Sequence, residues 1–80
     1  MPTVIRIRGL RFFFYSNESN PLEPPHIHFE QGEREAKFWL RPETQVAYND
    51  GFSARALREL LTLIETNRER IEKTWNDFFG

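Results

Sequence analysis

The chain has 80 residues, 39% hydrophobic, 15% aromatic and 29% charged, with eleven Lys and Arg against twelve Asp and Glu and no cysteine. That length supplies one small core, so residues 1–80 are predicted to form a single soluble domain, and no run approaches the roughly 18 apolar residues of a membrane span. Without cysteine neither a disulfide nor a thiolate zinc site can form, and the near-zero net charge argues against strong nonspecific nucleic-acid binding, leaving only a local basic patch to consider.

The opening segment, MPTVIRIRG, lacks an apolar signal core and a small-residue cleavage site, which predicts a cytoplasmic protein. Residues 3–8 alternate as a half-buried strand does, with Ile5 and Ile7 on one face and Val4, Arg6 and Arg8 on the other. Arg11 lies beyond a turn at Gly9, so Arg6, Arg8 and Arg11 are the candidates for a basic patch. Residues 10–16 read as a second strand that is apolar on both faces, Phe12 and Phe14 against Phe13 and Tyr15. A C-terminal helix in so short a chain covers one face, which makes the other a candidate interface.

Residues 17–25, NESNPLEPP, form the longest predicted loop, stiffened by its prolines. A third strand over 26–31 turns at Gly32, and a fourth over 35–41 places Ala36, Phe38 and Leu40 opposite Lys37, Trp39 and Arg41. Residues 46–48 are a candidate fifth strand before an Asn49-Asp50-Gly51 turn. Ser53 is placed as a helix N-cap with Phe52 as its staple, and Leu57, Leu60, Leu61, Ile64, Ile71, Trp75 and Phe78 follow helical spacing. Thr66-Asn67 is the expected site of a break or kink between two helices. The fold class is therefore predicted to be α+β: an antiparallel sheet of four or five strands with one or two C-terminal helices packed on one face.

Several runs, RFFFYSNE (11–18), EPPHIHF (23–29), AKFWL (36–40), GFSAR (51–55) and a closing W-x-x-F-F (75–79), resemble the bacterial domain-of-unknown-function family numbered 4160. The EPPHIH segment is the most specific part, and the resemblance covers nearly the whole chain. It implies no established activity. It does imply a gene neighbourhood similar to toxin–antitoxin pairs, because family members tend to be encoded beside a second small protein.

The residues with the most chemistry are the chain's two histidines, His26 and His28. On a strand they share a face, and Glu30 continues it. Two imidazoles and a carboxylate make His26, His28 and Glu30 a candidate divalent-metal set. Alternatively the imidazoles serve as acid and base in cleavage of RNA by its own 2′-hydroxyl, with Arg11 as the first candidate phosphate stabiliser and Lys37, Arg41 and Tyr15 behind it. The third reading is structural, with the rings tied to nearby carbonyls or to carboxylates such as Glu18 or Glu23. Phe13, Tyr15, Trp39 and Trp75 are the candidate partner-binding residues, since large aromatics at a face or chain end suit docking. The same aromatic strand could stack bases, although such residues more often form core.

Two functional expectations follow. The first is a protein-interaction module of a toxin–antitoxin-like two-gene system, binding a small partner protein or a second copy of itself. The alternative is a small hydrolase acting on RNA through His26 and His28. No cofactor is required by the sequence, a divalent metal is compatible with it, and no membrane association is expected.

Overall fold

A computed structural model describes residues 2–15 and 23–79. The chain runs β1 (Pro2–Ile7), β2 (Leu10–Tyr15), β3 (His26–Gln31), β4 (Arg34–Trp39), β5 (Gln45–Asp50), α1 (Ala54–Thr66) and α2 (Arg68–Phe79). The fold is α+β. All five strands form one antiparallel sheet in sequence order, and both helices follow it. Among the described residues no helix is long and apolar enough to cross a membrane.

The first hairpin corrects one expectation. Ile7 pairs with Leu10, so the turn consists of Arg8 and Gly9, both at positive φ (52° and 79°). Two such residues define a type I′ turn, one of the two-residue turns whose twist matches the flanking strands. The glycine therefore draws Arg8 out of the strand. Arg6 does not share a strand face with Arg8; it sits opposite Arg11 across the hairpin. The second hairpin turns at Gly32, at φ 64°, and pairs Gln31 with Arg34.

At the far edge, β5 is longer than expected and includes Asn49 and Asp50, so only Gly51 of the predicted turn reverses the chain. Asn49 explains how the strand can end so abruptly. Its side-chain oxygen accepts from Phe52 N–H (3.0 Å), and its amide donates to Phe52 O (2.9 Å). Those bonds do locally what a longer loop would otherwise do. Opposite, the register slips between Lys37 and Phe38, which pair with Tyr48 and Val46. Ala47 is thus an inserted residue, the mark of a bulge.

Ser53 caps α1 as the sequence predicts, its hydroxyl accepting from Ala56 N–H at 3.1 Å. Asn67 separates the helices, with φ −109° and ψ 16°. The backbone ladder persists across the joint, since Asn67 N–H reaches Leu63 O (3.2 Å) and Ile71 N–H reaches Asn67 O (3.0 Å). The bend turns the apolar stripe of α2 onto the sheet. Leu60, Ile64, Ile71 and Trp75 are buried, while Phe78 is exposed and Phe79 packs against Trp75 in its place.

The core lies between the helices and one sheet face. Ile5, Phe12, Phe14, Ile27, Phe38 and Leu40 point into it from the sheet side. This inner face obeys the strand alternation read from sequence, Ile5 with Ile7 and Phe12 with Phe14. Residue 16 and residues 17–22, including Glu18, lie outside the described residues.

Candidate functional site

The opposite, outer face of the sheet carries both histidines. One row across it runs Val4, Phe13, His28, Lys37 and Tyr48, each paired with the next. Beside it His26 pairs with Trp39. The fold thus brings Phe13, Tyr15, Trp39, His26 and His28 together, as the alternation of β2 and β3 predicts.

This face is less bare than the sequence suggests. Phe13 is only 2% exposed and His28 only 5%. His28 stacks on Phe13 with ring centroids 5.4 Å apart and meets the edge of Tyr15 at 5.5 Å. Arg11 lies over the other side of the cluster, its guanidinium carbon 5.2 Å from the Phe13 centroid, a cation–π geometry. Lys37 reaches over Trp39 at 4.5 Å while its ammonium pairs with Glu23 at 2.8 Å.

His26 has no exposed surface. Its Nδ1 lies 2.9 Å from Pro24 O. A carbonyl can only accept, so Nδ1 carries the proton and the tautomer is set by the proline-stiffened approach to β3. The ring also packs against His28 (5.3 Å), Trp39 (5.7 Å) and Trp75 (4.9 Å). A substrate proton could reach it only after these side chains move. Trp75 itself is buried between His26, Phe14 and Phe79, which makes it a core residue rather than a surface for a partner.

Glu30 shares the histidines' face but stands apart from His26. A strand rises about 3.3 Å per residue, so His26 and Glu30, four positions apart, have Cα atoms about 13 Å from one another. Glu30 instead pairs with Glu35 across the hairpin. A hydrogen bond with Glu35, slight desolvation and the Glu35 charge raise its carboxyl above the ordinary value, against the opposing charges of Arg11 and His28. Tyr48 hydroxyl donates to the same Glu35 at 2.7 Å. Among the described residues no three His, Asp or Glu side chains gather in a way that would hold a metal ion.

The other candidate phosphate stabiliser, Arg41, is committed elsewhere. Its Nε donates to Glu72 at 2.6 Å, and Arg68 Nε donates to the second oxygen of that carboxylate at 3.0 Å. Burial pushes the Glu72 carboxyl up, but the two guanidiniums outweigh it and hold it below the ordinary value. Sequence reasoning missed this clamp because Arg41 and Glu72 are far apart in the chain. The Glu30–Glu35 contact was readable, since a two-residue turn at Gly32 fixes which residues face each other.

Residues 9–76 match the model of a family described as a domain of unknown function, DUF4160. The chain belongs to this family. The match spans Phe13, Tyr15, His26, His28 and Trp39 and both helices up to Asn76, leaving out β1 with Val4 and the last turn of α2. No curated protein and no solved structure matches the chain.

Proposed function

We propose that this family member is a protein-interaction module of a bacterial two-gene system of the toxin–antitoxin kind, docking its partner on the outer face of the sheet. The observation that supports the reading is the exposure of Val4 (40%), Tyr15 (41%) and Tyr48 (42%) around the sheltered Phe13–His28 pair. The buried side chains of both helices pack into the core on the inner face, and Trp75 of α2 also reaches His26. Large amphipathic aromatics over a rigid base are the residues that carry binding energy at protein interfaces. Arg11 adds a fixed cation at the edge of the same surface.

The test is co-expression with the small partner protein that this reading requires, followed by calorimetry of the purified pair. Tyr15→Ala and Tyr48→Ala are each expected to weaken binding about thirtyfold, the equivalent of losing one aromatic hot spot. Unchanged affinity in both variants would remove the outer face as the contact. The hydrolase reading is the weaker one on physical grounds, because a buried imidazole fixed to a carbonyl is poorly placed to exchange protons with a substrate. RNA cleavage by the purified protein, lost in a folded His28→Gln variant, would reverse that order.

A further inference from the structure

Away from the outer face, an open groove of ≈ 780 Å³ lies between the β1–β2 turn and α1. Arg8 enters it from the turn, and Arg55 and Arg58 enter from the first half of α1. All three placements run against local stability. Arg8 holds a left-handed backbone at φ 52° where glycine or asparagine is the favoured residue. Arg55 and Arg58 sit near the positive end of a helix that has no acidic residue in its first turn. Sequences tend to break such rules where a ligand compensates for them.

The other polar groups of the groove are already used. Thr62 hydroxyl donates to Arg58 O (3.0 Å), Thr66 hydroxyl to Thr62 O (2.8 Å), and Asn67 amide to Leu63 O (2.8 Å). Those donors are satisfied within the helix, and the Leu63 side chain adds an aliphatic part to the wall. Arg55 has a loose pairing with Glu59 at 3.5 Å, while among the described residues the side chains of Arg8 and Arg58 make no ion pair. The groove thus offers guanidinium forks above an aliphatic wall.

We infer that this groove binds an acidic peptide segment of a partner protein, with carboxylates on Arg8 and Arg58 and an aliphatic side chain on Leu63. Guanidinium forks match carboxylates in paired hydrogen bonds. Single-stranded nucleic acid fits less well, because among the described residues no aromatic side chain lines the groove for base stacking. The inference is independent of the sheet-face reading, since the groove shares no residue with that surface.

The experiment is fluorescence polarisation of the full chain with a short labelled peptide of alternating glutamate and leucine. An oligouridylate of equal length and a lysine–leucine peptide serve as comparisons. The acidic peptide is expected to bind, to weaken with added salt, and to lose about tenfold or more in affinity in Arg58→Ala, as a charged hydrogen-bonding partner is removed. Arg8→Asn is the sharper variant, because it completes a favoured Asn-Gly turn. It should raise the melting temperature while weakening peptide binding, a pair of changes that a misfolded variant cannot produce. Binding that is absent, unchanged in both variants, or stronger for the oligouridylate would overturn the inference.

Discussion

Two glutamates of this chain respond to pH in opposite senses. Glu72 lies between Arg41 and Arg68, which hold its carboxyl below the ordinary value against the effect of burial. Its proton is bound more weakly in the folded than in the unfolded chain. The stability it supplies is therefore present above the ordinary carboxylate value and lost as pH falls through the lowered one. Glu72→Gln should cost about 1 kcal/mol at neutral pH, as expected for a partly sheltered ion-pair network, and the deficit should shrink in acid. Glu30 is held above its ordinary value by Glu35, so its proton is bound more tightly when folded. That contribution is present at low pH and lost as pH rises through the raised value. Glu30→Gln keeps the hydrogen bond and removes the charge, and should raise stability at neutral pH. Urea denaturation at neutral and acidic pH checks both, and parallel slopes for the two variants would contradict the assignment. Glu30 was legible as a residue on the histidine face, but its true neighbour was set by the hairpin.

At the scale of elements, the local signals were strong where they are short-range. The Ser53 cap, the Gly32 turn and the Asn67 joint all lie where the sequence places them. Ser53→Ala should cost about 1 kcal/mol of stability, since the Ala56 N–H loses its acceptor at a helix start. A thermal melt unchanged by that substitution would show that the cap is replaced by water at no cost. The boundaries that moved have local physical causes. The first strand stops at Ile7 because a type I′ turn takes two residues, and β5 runs on through Asp50 because the Asn49 side chain takes over the turn's hydrogen bonds. Neither is visible in hydrophobic periodicity, which reads side-chain faces and not backbone handedness.

On the scale of the whole molecule, the two sheet faces have different fates. The inner one is filled by α1 and α2, and Trp75 is the side chain that links Phe14 to His26 at its end. Trp75→Ala should therefore destabilise the fold by about 3 to 5 kcal/mol, as other large-to-small core changes do. Tyr15→Ala removes a half-exposed ring from the outer face and should leave the melting temperature nearly unchanged while reducing partner binding. Calorimetric melts of the two variants, read beside the binding data, separate core from contact. A large loss of stability in Tyr15→Ala would assign that ring to the fold and not to the interface.

The sequence by itself determined the class of fold, the inner core and the pairing of His26 with His28 on one face, because strand and helix periods and turn residues act within a few positions. Only the tertiary structure decided how accessible those residues are. It buried His26 under Trp75 and Trp39, sheltered Phe13 and His28, placed Trp75 in the core, and joined Arg41 to Glu72. Burial and charge pairing depend on which distant elements meet, and periodicity along the chain carries no record of that.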